Sequence, residues 1–175
     1  MLRVLEVLKD MKTNEGYSLM EISNQKNVLL VFLRHFGCSF CREAMQEISI
    51  LDKDLDHQRT AIILVHMSSE EIAVNYFKRY KIEHLLRISD LDCTYYKHFG
   101  LIKGTFNQLF GFRSWVRGIE ASLIKGHGWG HQLGDGFQMP GVFFISKGKI
   151  LSEFKHKYAS DKPDYLSMMN LKQPQ

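Results

Sequence analysis

The chain has 175 residues, 45% hydrophobic and 24% charged, with a net charge of +4 from 23 Lys and Arg against 19 Asp and Glu. That size and balance fit one globular domain, 1–175, with a sizeable core. The basic residues are scattered and carry no nucleic-acid-binding motif. Three cysteines are too few for a disulfide-stapled secreted scaffold, and no apolar run reaches membrane-spanning length.

The first ten residues mix acids with apolar side chains and lack a small-residue cleavage site, so they do not read as a signal peptide. A reducing cytoplasm is the expected compartment, where a C-x-x-C pair is catalytic or metal-binding rather than structural. Residues 22–26 lead into a strand over 28–35, whose run of Val, Leu and Phe predicts burial on both faces. Cys38-Ser39-Phe40-Cys41 follows Gly37 directly and opens a helix over about 41–55. A second buried strand spans 60–67. A helix runs from Ser69 toward Tyr80, with Ser69 as its cap. A weaker strand covers 85–89, and a short helix covers 92–99 and stops at Gly100. Strands over 141–146 and 149–154 flank Lys147-Gly148, a two-residue hairpin turn. A final helix lies around 164–170.

This order predicts an α/β, thioredoxin-like fold with a central mixed sheet flanked by helices. The segment from about 103 to 136 stands outside that core. Leu109, Phe112, Trp115, Val116, Ile119 and Leu123 recur at helical spacing ahead of a glycine-rich loop, which reads as a helical and loop insertion. Its apolar stripe is expected to pack on the domain or a sister subunit, which makes a homodimer conceivable. A substrate lid or membrane-surface helix is the lesser reading, and no stable membrane insertion is expected.

Strand, glycine, C-x-x-C and helix are the parts of a dithiol redox site. A helix N-terminus carries unpaired N–H groups and partial positive charge, which biases the first cysteine toward thiolate. Arg34, His35 and Arg42 are neighbours able to add positive potential. Cys38, at the helix entrance, is assigned as nucleophile, and Cys41, one turn deeper, as the resolving thiol. In thioredoxin-like folds a proline, usually after a cis bond, opens the strand facing the disulfide. Pro140, directly before the strand over 141–146, stands in the matching place. By that analogy a cis Met139–Pro140 bond is expected over an ordinary trans proline at a strand start, turning the Met139 backbone toward a partner and keeping metal from the thiols. Cys93 reads as a buried hydrophobe within a short helix. His127 and His131 could join the two cysteines as four zinc ligands, although a rim position is favoured. The assignment is therefore no metal and no cofactor.

The run 32–43, Phe-Leu-Arg-His-Phe-Gly-Cys-Ser-Phe-Cys-Arg-Glu, resembles the motif of peroxiredoxin-like proteins in the AhpC/TSA superfamily. These include the selenoprotein-L-related redox proteins and the prostamide/prostaglandin F synthase group. The runs 134–143 and 158–165 agree, so the resemblance covers about 18–170. It implies a thioredoxin fold and thiol-dependent oxidoreductase or antioxidant activity, with Cys38 reactive and Cys41 its partner. True peroxiredoxins carry Thr or Ser three residues before the reactive cysteine, and His35 stands there instead. Thioredoxins have Trp-Cys-Gly-Pro-Cys, from which Gly37 and Ser39-Phe40 depart.

The expected reaction is attack of Cys38 on a protein or small-molecule disulfide, or less readily a peroxide. Cys41 then closes an intramolecular disulfide, which a cellular dithiol reduces. His35, Arg42 and Met139 are the expected substrate contacts. Two competing readings stand beside it: a zinc-bound or redox-inert binding module, and a thiol-dependent reductase of a small organic peroxide.

Overall fold

In a computed structural model, the protein is described over residues 2–105 and 135–169, with side chains from residue 5 onward. The elements in chain order are α1 (Leu2–Asp10), α2 (Leu19–Gln25), β1 (Asn27–Phe32), α3 (Ser39–Asp54), β2 (Thr60–His66), α4 (Glu70–Tyr80), β3 (Leu86–Ser89), α5 (Thr94–His98), β4 (Gly141–Ser146), β5 (Lys149–Lys155) and α6 (Tyr165–Met169). The strands form one mixed sheet in the order β3-β2-β1-β4-β5. β1 runs parallel to β2 and antiparallel to β4.

The central strand explains the layering. Side chains alternate across a strand, so Val28, Leu30 and Phe32 face one layer while Leu29, Val31 and Leu33 face the other. The first set packs with residues of α1, α2 and α5, including Leu8, Leu19 and Tyr96. The second packs with residues of α3, α4 and α6, including Met45, Ile48, Phe77 and Tyr165. Burial of a Leu or Phe in such a layer stabilises by about 1.5–3 kcal/mol relative to exposure. Phe32 contacts Tyr96, Phe99 and Phe143 with ring centroids 4.9, 4.9 and 5.7 Å away, so Phe32→Ala would cost about 3–5 kcal/mol.

The expected thioredoxin-like core is present, and the largest differences from expectation lie at the N-terminus. α1 and α2 were not foreseen. α2 begins with a capping box: Ser18 Oγ accepts from the Glu21 amide, and Glu21 Oε2 accepts from the Ser18 amide at 2.7 Å. The hairpin turn falls at Lys147 and Gly148, with φ of 48° and 70°, the left-handed pair a two-residue turn requires. Both amides of that turn donate to Ser23 of α2, which ties the hairpin to the missed helix. Cys93 is not inside the short helix but caps α5 with φ 54°. Among the described residues no helix is long and apolar enough to cross a membrane. The helical stripe and glycine-rich loop read from the sequence, with His127 and His131, lie outside the described residues.

Candidate active site

Leu33 to Gly37 continue from the buried central strand, so the chain reaches α3 from a rigid base. Tyr96 reinforces that base by donating its hydroxyl to the carbonyls of Leu33 (2.6 Å) and Val65 (3.1 Å), at the ends of two neighbouring strands. A turn closes with the Cys38 amide donating to the His35 carbonyl at 3.0 Å. Cys38 is then the N-cap of α3, in extended conformation and with no side-chain cap hydrogen bond. Its sulfur therefore lies at the positive end of α3.

Arg34 fills the electrostatic role that the sequence shared among three residues. Its guanidinium is buried, Nη1 lies 3.0 Å from Cys38 Sγ, and Nη2 donates to the Gly136 carbonyl at 2.6 Å. Helix terminus and guanidinium thus converge on one partly exposed sulfur. Cys41, one turn into α3, is buried and donates its thiol to the Arg34 carbonyl at 3.3 Å. Burial pushes the Cys41 thiol well up, and the nearby Cys38 sulfur adds to the rise, while Arg34 and Arg42 oppose it. All three cysteines are reduced here.

Two expectations need correction. His35 does not supply positive potential. Burial first, then Arg34 and Arg42, lowers its imidazole to about 4, so the ring is neutral near pH 7. The Met139–Pro140 bond is trans, since no peptide bond among the described residues is cis. The Met139 amide donates to the Ile102 carbonyl at 3.2 Å, and the Met139 carbonyl accepts from Gln138 Nε2 at 3.2 Å. That backbone is therefore engaged within the chain, in the trans form that most X–Pro bonds adopt. The Met139 side chain packs with Phe40 and Ala159 beside the motif. Arg42 sends Nε to the Phe36 carbonyl at 3.1 Å, behind the turn, while its charge is still felt at Cys41 and His35.

The chain segment before α6 adds groups that sequence reasoning left out. Lys162 lies 2.6 Å from both Glu43 Oε1 and Glu47 Oε1 on α3. A cavity of about 30 Å³ behind the motif is lined by Cys41, Arg34, Pro140, His156, Ala159 and Tyr165. The available signal was the quoted run 158–165, which carries Ala159, Lys162 and Tyr165. Among the described residues no group of three or more His, Cys, Asp or Glu is placed to hold a metal ion.

A reduced Cys-x-x-Cys at the start of a helix, fed from the central strand of this sheet order, defines the class of thioredoxin-fold oxidoreductases. Residues 6–154 match the AhpC/TSA family, and the chain belongs to it. It is 30% identical over 166 residues to the prostamide/prostaglandin F synthase of Danio rerio, covering 89% of this chain and 79% of that protein. The corresponding synthase of Salmo salar is 28% identical over 170 residues, covering 91% and 79%. The fold is shared with Xanthomonas campestris bacterioferritin comigratory protein, at a TM-score of 0.60 and 15% identity, covering 86% of this chain and 83% of that one. It is shared likewise with peroxidoxin BcpB of Mycobacterium tuberculosis, at 0.58 and 13%, covering 86% and 82%.

Proposed function

We propose that the protein is a thiol–disulfide oxidoreductase in which Cys38 is the nucleophile and Cys41 the resolving thiol. The observation that carries this reading is the 3.0 Å approach of Arg34 Nη1 to Cys38 Sγ at the N-terminus of α3. A guanidinium and a helix dipole favour negative charge on sulfur, and the thiolate is the attacking form. Cys38 attacks one sulfur of a protein or small-molecule disulfide, a mixed disulfide forms, and a thiolate leaves. Cys41 then attacks Cys38 Sγ, expels the second thiolate and leaves an intramolecular disulfide. A cellular dithiol returns the pair to the reduced state, and no cofactor is required.

The test is equilibration in glutathione buffers, followed by trapping of thiols and mass measurement of the intact chain. A reversible two-electron transition that disappears in both Cys38→Ser and Cys41→Ser supports the mechanism. Its persistence in Cys38→Ser would rule it out. The midpoint sets the direction of flow: near about −270 mV the protein runs as a reductant, and near about −120 mV as an oxidant.

A second reading makes a small organic peroxide the substrate. It is favoured by the two relatives, both prostamide/prostaglandin F synthases. Single-turnover oxidation by a small organic hydroperoxide, compared with a simple disulfide, separates the two. Faster reaction with the hydroperoxide selects the peroxide reductase, although His35 replaces the hydroxyl that peroxiredoxins use at that position.

A further inference from the structure

Three buried polar atoms near the dithiol have no partner among the described residues: His35 Nδ1, and two that belong to residues lining the cavity behind Cys41. The two are Arg34 Nε, an obligate donor, and His156 Nδ1. Burial lowers the His156 imidazole to about 4, so the ring is neutral near pH 7 and carries a single N–H. With that hydrogen on Nε2, Nδ1 keeps its lone pair and is an acceptor. The cavity measures about 30 Å³, enough for a single water. A donor, an acceptor and a thiol around one water-sized space supply the two to four polar contacts a buried water needs.

Arg34 also stands between the two sulfurs. Nη1 approaches Cys38, while the Arg34 carbonyl receives the Cys41 thiol and Nε is unpaired. Negative charge on Cys38 opposes a second negative sulfur at Cys41. Once Cys38 enters a mixed disulfide that opposition vanishes, and the buried guanidinium is left without its anion. A buried cation without a partner is costly, and Cys41, which lines the cavity with Arg34, is a group that can become its anion.

Resting on the assignment of Cys38 and Cys41 above, we propose that Arg34 serves the two sulfurs in turn. It holds Cys38 before attack and Cys41 during resolution, through a water seated between Arg34 Nε and His156 Nδ1. That water accepts from Nε–H, donates one hydrogen to Nδ1, and keeps the other to donate to Cys41 sulfur as it becomes thiolate. The electron pair of Cys41 forms the Cys38–Cys41 bond as the Cys38–substrate bond breaks. The departing thiolate takes up the proton that Cys41 gives away through solvent. His156 is a positioning residue here, since it anchors the water and does not accept the proton.

Reaction with dithiobis(nitrobenzoate) in a stopped-flow cell resolves the steps, because attack by Cys38 releases the first coloured thiolate and resolution by Cys41 the second. The expected result for Arg34→Met is slowing of both phases. For His156→Phe, the second phase falls about tenfold relative to the first within the same trace, equivalent to one pKa unit of lost thiolate support. His156→Asn, which keeps an acceptor near the Nδ1 position, restores the second phase. Ala44→Val, which adds bulk at the cavity wall without touching either ring, reproduces the His156→Phe effect. A general loss of structure would slow both phases, so the ratio within one trace isolates resolution. An unchanged phase ratio in both His156→Phe and Ala44→Val overturns the water. A slowed first phase with a normal second in Arg34→Met overturns the shared role. A second phase surviving in Cys41→Ser would instead refute the underlying dithiol assignment.

Discussion

Cys38 and Cys93 occupy the same position relative to a helix, the N-cap of α3 and of α5, yet their surroundings are opposite. Cys38 is partly exposed, and its own side chain makes no cap hydrogen bond to α3 but meets Arg34 Nη1 at 3.0 Å. At α5 the Asp90 carboxylate makes such bonds, accepting from the amides of Thr94 (2.9 Å), Tyr95 (2.8 Å) and Tyr96 (3.2 Å). The positive end of α5 is thus already neutralised. Cys93 is buried, and burial, followed by Asp90 and Asp135, pushes its thiol up to about 11. A helix N-terminus alone does not make a reactive thiol. Burial separates the two first, and then the neighbouring charged side chain, an aspartate at Cys93 and an arginine at Cys38.

The sharpest way to break this comparison is to exchange each sulfur for oxygen. Cys38→Ser is expected to reduce thiol-dependent turnover to background, whereas Cys93→Ser retains it within about twofold, since only packing changes. Equal losses would show that Cys93 takes part in the chemistry. The next effect in size is the pH dependence of Cys93 itself, read in a Cys38→Ser, Cys41→Ser background. The thiolate is the alkylated form and its fraction rises with pH up to about 11. Iodoacetamide labelling of Cys93, followed by mass spectrometry, should therefore rise about a hundredfold from pH 7 to pH 9. A plateau below pH 9 would place the Cys93 thiol in a more positive setting than the structure gives it.

Removing the arginine comes third. Arg34→Met deletes a hydrogen bond to a charged group, worth about 1.5–3 kcal/mol, so the alkylation rate of Cys38 at pH 7 should drop about tenfold to a hundredfold. Retained reactivity would mean that the α3 terminus suffices by itself. The smallest change is Asp90→Asn. It removes the carboxylate charge beside Cys93 while leaving one cap oxygen. Labelling of Cys93 at pH 8 should quicken about threefold to tenfold. The melting transition should fall modestly, by the few kelvin that a weakened cap implies.

The contrast also shows why some of the site was legible and some was not. Val28 to Leu33 and Ala61 to Val65 are unbroken apolar runs, so the central strands stand out. Gly37 followed by Cys-x-x-Cys marked the strand-to-helix junction by local chemistry alone. The capping box of Ser18 and Glu21 is equally local, but it stands ahead of the run 22–26, whose residues read as a lead into β1. Arg34, His35 and Arg42 are all within four residues of Cys38 and looked interchangeable. Only tertiary packing separates them: one guanidinium turns inward to the sulfur, one binds the Phe36 carbonyl, and the imidazole is neutralised by burial. His156 gave no signal, because its place behind Cys41 depends on β5 reaching across from more than a hundred residues downstream. The conformation of Met139–Pro140 was inferred by analogy with other thioredoxin folds, and the local pairing with Ile102 and Gln138 runs otherwise.

The Arg34–Gly136 hydrogen bond joins residues 102 positions apart. During synthesis from the N-terminus, Cys38, Cys41 and Arg34 leave the ribosome together, long before Gly136 has been added. At about 5–20 residues per second, the interval lasts several seconds or more. Throughout that time the guanidinium lacks its carbonyl anchor, and β1 lacks the β4 neighbour that walls in the motif. The surroundings of Cys38 in the finished fold are therefore completed late, and a nascent chain carries the dithiol without them until Gly136 and β4 have docked.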